Sequence, residues 1–169
     1  MELRPLRLSD AVSVARYAND PDVSANLRDT FPCPYALTDA ETYIRECLEK
    51  ESIQLCRAIV IDGEAAGCIG VCPKTDVYCR TAELGYWLGK PFWGRGIMTA
   101  AVGPICREAF ARFEITRIEA EIYARNRASR RVAEKNGFTL EGILRQRIWK
   151  RGTLLDSYLY SLLREEVSL

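Results

Sequence analysis

Residues 93–101 of the chain read Trp93-Gly94-Arg95-Gly96-Ile97-Met98-Thr99-Ala100-Ala101. They follow a strand-like run that ends at Leu88, and they lead into a stretch with apolar residues at helical spacing. Glycines one residue apart let the main chain turn tightly, and the first turn of a helix presents unpaired N–H groups to an anion. Arg95 adds a positive charge. The order of strand, glycine loop and helix therefore predicts a phosphate-binding site.

Two common phosphate motifs fit this loop poorly. A P-loop requires the pattern G-x-x-x-x-G-K-[ST], which the chain lacks. A dinucleotide fingerprint requires a third glycine at the position of Thr99. A glycine pair before a helix also occurs in ordinary strand-to-helix turns, so the loop alone leaves that alternative open.

Composition places the chain among small globular domains. With 169 residues, 48% of them hydrophobic, it is large enough to bury one core, and we expect a single domain over residues 1–169. The net charge of +1 favours neither nucleic acid nor an acidic membrane surface as a partner. No apolar run reaches membrane-spanning length, and the N-terminus carries charged residues instead of a signal-like core. We expect a cytoplasmic protein.

The side chains that are absent narrow the chemistry. The chain has no histidine, which excludes Ser-His-Asp and Cys-His nucleophilic systems and histidine-ligated metals. Its seven cysteines form no C-x-x-C pair, so neither a zinc ribbon nor a disulfide framework is predicted. We therefore expect no metal, and proton transfer must use other side chains or water.

Patterns in the first half predict strands and short helices. We expect a first strand over residues 2–8, a helix capped by Ser9 with Val12, Ala15 and Ala18 on its apolar face, and an irregular or short-helical segment over residues 21–37. Thr38 and Glu41 form a capping box before a second helix. Asp62-Gly63 predicts a hairpin turn between two strands, and residues 78–88 form the strand before the loop.

The second half alternates helices and strands. Gly103-Pro104 lies inside the helix that follows the loop and predicts a kink or an early break. The next elements are a strand at 117–123, a helix at 127–136, and strands at 138–144 and 156–163. This order predicts an α/β (α+β) fold with a mixed, mostly antiparallel sheet, helices on both faces, and parallel strands on either side of the loop and its helix.

The glycine loop and four further segments resemble those of a known enzyme family. The loop resembles the pyrophosphate motif [QR]-x-x-G-x-[GA] of the GCN5-related N-acetyltransferases (GNAT), in the W-G-x-G form of the branch that includes the ribosomal-protein alanine N-acetyltransferases (RimJ/RimL-like). Trp93 and Met98 depart from the general motif. Similarity extends over nearly the whole chain and includes the segments Ala82-Glu83-Leu84-Gly85-Tyr86-Trp87-Leu88, Asn126-Arg127-Ala128-Ser129, Glu134-Lys135-Asn136-Gly137-Phe138 and Leu140-Glu141-Gly142.

The resemblance implies a fold and a co-substrate. In this family the central sheet splays between its two parallel strands, and the pantetheine arm of acetyl-CoA lies in the gap. The main chain of the strand before the loop bonds the arm like an added strand, with the N–H near Leu88 facing the thioester oxygen. The CoA-binding residues implied here are Tyr86, Trp87, Leu88, Gly94, Arg95, Gly96, Ile97, Met98, Thr99 and Asn126.

Catalytic residues follow from the same resemblance and from the chemistry of amines. An ammonium group must lose a proton before it attacks, and a carboxylate in a partly buried cleft can accept that proton. Glu83 stands where the family often has a carboxylate, while Glu119 and Glu121 are alternatives on one face of the next strand. Ser129 matches a serine that this branch places beside the sulfur. Asn126 also reads as an ordinary helix N-cap.

The sequence departs from the family at two catalytic positions. Ala133 replaces a tyrosine that donates a proton to the thiolate, and Ile148 replaces a glutamate proposed as the base. The basic run Arg125, Arg127, Arg130 and Arg131 could meet a phosphate of CoA, but the pattern favours a solvated helix face.

The predicted function is acetyl transfer from acetyl-CoA to a primary amine, directly and without a covalent enzyme intermediate. The acceptor is a protein N-terminus or a small-molecule amine, and residues 20–37 with the last strands would meet it. A non-catalytic acyl-CoA sensor is the main alternative, and a nucleotide-binding oxidoreductase is a weaker one. A homodimer is common among similar proteins, and the sequence leaves the oligomeric state open.

Overall fold

The computed structural model describes residues 1–167, which form seven β-strands, five α-helices and four short 3₁₀ turns. The strands are β1 Glu2–Arg4, β2 Leu55–Ile61, β3 Glu64–Pro73, β4 Thr81–Leu88, β5 Arg117–Tyr123, β6 Thr139–Lys150 and β7 Thr153–Leu163. The helices are α1 Ala11–Ala18, α2 Pro21–Ala25, α3 Leu37–Glu49, α4 Ile97–Arg112 and α5 Arg127–Lys135. No helix within residues 1–167 is both long enough and apolar enough to span a bilayer.

The strands form one mixed sheet in the order β1-β2-β3-β4-β5-β7-β6. The pairs β1/β2, β5/β7 and β6/β7 are antiparallel, whereas β4 and β5 run parallel. The parallel register pairs residues 81–83 with residues 117–119, while β4 continues to Leu88 and β5 to Tyr123. The predicted mixed, mostly antiparallel sheet with one parallel pair is confirmed.

The chain divides into two compact units, and β3 and β4 each contribute residues to both. Unit 1 comprises Met1–Gly70 and Gly85–Ile97, and unit 2 comprises Val71–Leu84 and the chain from Met98 onward. In unit 1, helices α1 and α3 bury Val14, Ala18, Ile44 and Cys47 with Cys56, Ala58, Val60, Cys68 and Trp87. In unit 2, the fully buried side chains include Val102, Ile105, Phe110, Ile118 and Tyr160.

The start of α1 differs from the prediction. Strand β1 ends at Arg4, a 3₁₀ turn covers Leu8–Asp10, and α1 begins only at Ala11. Ser9 therefore caps no α-helix. The carboxylate of Asp10 accepts the main-chain N–H of Arg7 at 2.8 Å and two N–H groups of Arg4 at 2.7 and 2.8 Å. The chain enters α1 around this buried ion pair, and the buried helix face contains Ala11 and Val14, while Val12 is exposed.

Helix α3 is confirmed, but its predicted capping box is wrong. The helix begins at Leu37 with Ala36 as its N-cap, so Thr38 lies inside the first turn. Asp39 at the third position accepts the main-chain N–H of Ala36 at 2.7 Å, which is the role that the prediction gave to Glu41. An acidic side chain three residues after the N-cap can accept the cap N–H, and here the helix begins two residues earlier than predicted.

Two tight turns have the geometry that their sequences favour. Asp62 and Gly63 both adopt positive φ between β2 and β3, which confirms the predicted hairpin. Helix α5 ends in a Schellman motif, with Gly137 at φ +80 and the N–H of Phe138 bonded to the carbonyl of Ala133 at 3.1 Å.

Helix α4 contains Pro104 without a break. It runs continuously from Ile97 to Arg112, so the predicted early break is wrong, while the alternative of a kink stays a prediction. Proline costs about 3 kcal/mol inside a helix, partly because its ring crowds the Cβ of the preceding residue. That preceding residue is Gly103, which has no Cβ, and the helix buries Ala101, Val102, Ile105, Ala109 and Phe110. Burial of this face outweighs the lost hydrogen bond.

The last hairpin is longer than predicted. Strand β6 extends to Lys150 and β7 begins at Thr153, with a two-residue turn in which Arg151 and Gly152 both have positive φ. Irregularities in β6 lie between Leu140 and Gly142 and between Leu144 and Ile148. These irregularities interrupt the alternation of apolar and polar residues, which is why the sequence pattern ended the strand too early.

Candidate active site

The glycine loop lies between the end of β4 and the start of α4. Gly94 and Gly96 adopt φ values of +74 and +73, a conformation that side-chain-bearing residues rarely take. A Cβ placed on either glycine would meet no atom within 4 Å. The glycines are therefore required by the backbone conformation, and the space above them is open to a ligand.

The loop is held to the strand that precedes it. The indole Nε1 of Trp93 donates a hydrogen bond of 2.7 Å to the carbonyl of Leu88. The guanidinium of Arg95 lies 5.5 Å from the ring centre of Phe92, and that ring packs edge-on against Tyr17 at 5.2 Å. Trp93 thus replaces the usual Gln or Arg of the motif with a side chain that fixes the loop to β4.

The loop presents main-chain donors without acceptors. Among residues 1–167, no protein group accepts a hydrogen bond from the main-chain N–H of Gly94, Arg95, Gly96 or Ile97. Consecutive N–H groups at the positive end of a helix dipole suit a phosphate or pyrophosphate. Arg95 is exposed beside them. The residues present therefore fit an anionic ligand, and the anion loop stays a prediction.

The predicted pantetheine strand lies directly before the loop. Trp87 and Leu88 are buried and Tyr86 is half-buried, so β4 offers mainly its backbone to a ligand. A Cβ on Gly67 of β3 would lie 2.4 Å from the carbonyl oxygen of Trp87, whereas one on Gly85 would meet nothing within 4 Å. Gly67 is therefore a positioning residue, whose role depends on a strand that lies 20 residues further along the chain. A glycine inside a strand often marks such a close backbone approach.

Three carboxylates in unit 2 share one face of the sheet. The register pairs Glu83 with Glu119, and Glu121 follows two residues later on β5. Glu119 bonds to Lys74 and to Arg117, the latter at 2.9 Å. Burial alone would raise the pKa of Glu119, but the hydrogen bonds from Lys74 and Arg117 outweigh it and lower that pKa. Glu119 is thus committed to two cations and poorly suited to accept a proton.

Glu83 and Glu121 have different surroundings. Glu83 is half-buried. Glu121 accepts a hydrogen bond of 2.6 Å from the hydroxyl of Ser157 and lies 3.6 Å from Nε of Arg147. Glu121 thus has one long contact with a cation, whereas Glu119 is bonded to two.

Two of the predicted site residues, Asn126 and Ser129, lie at the start of α5. Asn126 caps the helix, because its Oδ1 accepts the N–H of Ser129 at 3.1 Å. The cap uses the side-chain oxygen, and the side-chain NH₂ group takes no part in it. Ser129 is half-buried in the first turn of α5.

Ala133 on α5 and Ile148 on β6 are the two positions at which the sequence departs from the family. Ala133 is buried, and the hydroxyl of Tyr160 donates to Glu134 at 2.8 Å. Burial and this hydrogen bond raise the pKa of Tyr160 to about 12. Arg130 stacks 4.3 Å from the ring centre of Tyr158, and within residues 1–167 its buried Nε has no hydrogen-bond acceptor. Ile148 lies half-buried on β6.

Asn136 is a second positioning residue that the sequence reading missed. Its Nδ2 donates to the carbonyl of Thr99 at 3.1 Å and to the carbonyl of Val132 at 2.9 Å. These bonds tie the C-terminal end of α5 to the first turn of α4. The sequence indicated only that Asn136 ends a helix, since its partner lies 37 residues away.

The described part of the chain contains no candidate metal site. Residues 1–167 contain no group of three or more Cys, Asp or Glu side chains arranged to hold an ion. The four buried cysteines Cys47, Cys56, Cys68 and Cys106 pack in the core, and all seven are free thiols.

The sheet is mixed with one short parallel pair, and a glycine loop joins strand β4 of that pair to the start of α4. This arrangement is that of an acetyltransferase of the GNAT type. The family profile described as "Acetyltransferase (GNAT) domain" matches residues 1–139. The chain belongs to this family and is an N-acetyltransferase.

Curated relatives have the same activity in their names. The chain is 29% identical to the uncharacterized N-acetyltransferase p20 of Bacillus licheniformis, over 98% of this chain and 94% of that protein. It is 37% identical to the putative ribosomal N-acetyltransferase YdaF of Bacillus subtilis, over 64% of this chain and 58% of that protein. These names give the sensor alternative no support.

A solved structure extends the likeness to the whole fold. Mycobacterium smegmatis RimJ in complex with CoA-disulfide superposes with a TM-score of 0.86 at 28% identity, covering 99% of this chain and 83% of that one. The microcin C7 self-immunity acetyltransferase MccE, in complex with acetyl-CoA and AMP, gives a TM-score of 0.82 at 25% identity, covering 95% and 91%. The resemblance to RimJ/RimL-like proteins is confirmed.

Proposed function

We propose that the main-chain N–H groups of Gly94, Arg95, Gly96 and Ile97 bind the pyrophosphate of acetyl-CoA. One observation carries the proposal: these four donors have no protein acceptor within residues 1–167, and the space above both glycines is open. Such donors cost little to leave exposed to water and gain strong, charge-assisted bonds from an anion. The N–H groups of Met98 and Thr99 in the first turn of α4 complete the cradle.

The strand and α5 supply the remaining contacts to CoA in this proposal. The main chain of Tyr86, Trp87 and Leu88 bonds the pantetheine arm by strand addition, and the N–H of Leu88 faces the thioester oxygen. The short parallel register supports this role, because β4 continues for five residues beyond its last pair with β5. Asn126 donates its side-chain NH₂ to the arm, and the hydroxyl of Ser129 lies beside the sulfur.

The proposed chemistry is direct transfer within a ternary complex, without an acyl-enzyme and without a metal. Acetyl-CoA supplies an acyl group activated as a thioester. Glu83 accepts the proton of the acceptor ammonium, directly or through one water, since an amine near pKa 10 is otherwise charged at neutral pH. Glu119 is less suited to this role because it bonds Lys74 and Arg117. Glu121 is the competing base.

We infer that the acceptor is the N-terminal amine of a protein. Two relatives support this choice by name: YdaF is a putative ribosomal N-acetyltransferase, and a ribosomal-protein-serine acetyltransferase of Escherichia coli is 34% identical over 48% of this chain. A single domain over residues 1–169 acting in the cytoplasm completes the proposal. Small-molecule amines are the second class of acceptor to be tested.

Thermal-shift titration tests the CoA loop. Because a ligand that binds only the folded state raises apparent stability, acetyl-CoA and CoA are expected to raise Tm, while NADH and ATP should raise it far less. S-acetylpantetheine lacks the pyrophosphate and should also give a much smaller shift.

A pair of matched variants separates a local effect from a general one. Gly96→Trp should abolish the shift with CoA by filling the space over the loop. Gly152→Trp places the same side chain at another glycine with positive φ and no neighbour within 4 Å, in the β6–β7 turn, and should leave the shift intact. CoA binding retained by Gly96→Trp would refute the loop assignment. Release of free thiol with a panel of peptides and small amines then identifies the acceptor class.

A further inference from the structure

Positive charge is concentrated in one continuous part of the chain. Residues 124–160, which contain α5, β6 and most of β7, have nine Lys or Arg and three Asp or Glu, a net charge of +6. The whole chain has 24 Lys or Arg and 23 Asp or Glu, so the remaining residues are net acidic. The near-neutral total therefore hides a strongly basic segment that lies entirely within unit 2.

The cations of this segment are poorly neutralised by its own carboxylates. Glu141 bonds Arg117 and Ser161, Asp156 accepts the N–H of Gln146, and Glu134 accepts the hydroxyl of Tyr160. Within residues 1–167, no ion pair neutralises the exposed cations Arg127, Arg131, Lys135 and Arg145. These side chains present an unpaired positive surface.

Exposed apolar side chains lie on one face of the same hairpin. The register pairs Leu140 with Tyr160, Ile143 with Tyr158 and Trp149 with Leu154, and paired residues share a face. Alternate residues of β7 also share that face, so Leu140, Ile143, Trp149 and Leu154 form one strip. Their exposed fractions are 44%, 49%, 65% and 53%.

The exposed strip also lies beside an open sheet edge. Strand β6 is the last strand of the sheet order, so its outer edge has no partner strand among the described residues. Single exposed apolar residues are common, but four on one face beside an edge strand mark an interaction surface. Exposed Arg145 lies on β6 between Ile143 and Trp149, which places positive charge within the strip's own length.

We propose that this surface docks an acidic segment of the protein acceptor in which apolar and carboxylate side chains are interspersed. The inference rests on the proposed function, because it concerns the part of a protein acceptor that follows the acetylated N-terminus. Trp149 and its apolar neighbours supply contact area, while the unpaired cations orient the segment and speed its association. An apolar strip within a basic surface matches this partner better than a neutral peptide.

Three peptides of equal length test the proposal. They share one N-terminal tetrapeptide with a free amine, carry a fluorescent label at the C-terminus, and have tails that alternate leucine with glutamate, serine or lysine. Fluorescence anisotropy gives the Kd of each tail, and thiol release gives kcat/KM for each peptide and for the tetrapeptide alone. We expect the glutamate tail to bind about fivefold more tightly than the serine tail at low salt, and the lysine tail to bind weakest.

Variants assign the effect to the surface. Arg145→Glu should remove the preference for the glutamate tail, whereas Arg145→Lys should keep it. Trp149→Ser should weaken both the glutamate and serine tails about tenfold, as expected for a tryptophan anchor. Arg107→Glu, at an exposed position of α4, is the matched control and should change neither. None of these variants should alter kcat/KM for the tetrapeptide.

Three outcomes would overturn the inference. Equal affinity for all tails would remove the charge preference. An unstructured RNA that binds more tightly than the glutamate tail, and is lost in Arg145→Glu, would make the surface a nucleic-acid site. A dimer that Trp149→Ser dissociates in light scattering would show that a second copy covers the strip. Tail binding without acetylation of any peptide would instead refute the protein acceptor while leaving an acidic-segment surface in place.

Discussion

The candidate carboxylates of unit 2 differ in their contacts. Glu119 holds Lys74 and Arg117, Glu121 accepts from Ser157, and Glu83 lies beside Glu119 in the parallel register. A carboxylate that is bonded to two cations keeps a low pKa and gives little driving force for removing a proton from an ammonium group. Glu119 is therefore the least suited of the three, and Glu83 stays our proposed base with Glu121 as its rival.

Replacing each carboxylate by its amide tests this order. We expect Glu83→Gln to lower kcat for peptide acetylation by at least about 100-fold, because general-base catalysis contributes that much or more. Its Kd for CoA should not change. Glu119→Gln should mainly lower stability, since it breaks ion pairs. A large loss of kcat in Glu121→Gln, with normal turnover in Glu83→Gln, would transfer the role to Glu121.

Among the elements, the approach of β3 to β4 sets the path of the strand before the loop. A Cβ on Gly67 would meet the carbonyl oxygen of Trp87 at 2.4 Å and Cα of Leu88 at 3.0 Å, both of which are backbone atoms that cannot move cheaply. The main chain of Gly89 donates to the carbonyl of Ala66 at 2.8 Å in the same region. The two strands are therefore closely packed just where β4 ends.

Two glycine substitutions in this sheet should give opposite results. Gly67→Ala is expected to lower the free energy of unfolding by about 2 kcal/mol or more, through overpacking against the backbone of β4. Gly85→Ala meets open space at an ordinary φ and should be neutral or stabilising by about 0.5 kcal/mol. Urea unfolding measures both. Equal effects of the two substitutions would show that close packing at Gly67 does not limit stability.

The helices and strands also show how much of the fold could be predicted from the sequence. Strand β5, helices α3 and α5, the Asp62-Gly63 hairpin and the loop before α4 lie where local patterns predicted them, because turn residues and apolar spacing act within a few positions. The caps of α1 and α3, the early break in α4 and the length of β6 were predicted wrongly. The contacts at the two caps are local, but several positions could have served as the cap, and α4 stays continuous because its apolar face is buried.

For the molecule as a whole, several carboxylates with depressed pKa values link stability to pH. Burial alone would raise the pKa of Asp10, but hydrogen bonds from Arg4 and Arg7 lower it. Arg117 and Ser161 lower the pKa of Glu141 to about 2, and the pKa of Glu119 is lowered as well. Unfolded carboxyl groups titrate near about 4. Their stabilisation is therefore present above that pH and is lost as the pH falls toward the folded-state values.

Asp10→Asn should reduce this acid dependence. The side chains of Asp10 and Arg4 are 8% and 12% exposed, so the variant leaves a nearly buried guanidinium without its carboxylate. We expect a loss of about 1–3 kcal/mol at neutral pH that shrinks as the pH approaches 3. Urea unfolding at several pH values measures it. A constant difference between variant and parent at all pH values would show that Asp10 does not titrate with folding.

The class of this protein could be predicted from its sequence. The glycine loop, the strand before it and the asparagine-capped helix after it are short patterns, and their residues act on near neighbours. Tertiary structure alone decided which carboxylates are committed to cations, why β3 needs Gly67, how Asn136 holds the start of α4, and which face of the last hairpin is exposed. Those features join residues far apart in the chain. They follow from strand register and close packing, which no local pattern specifies.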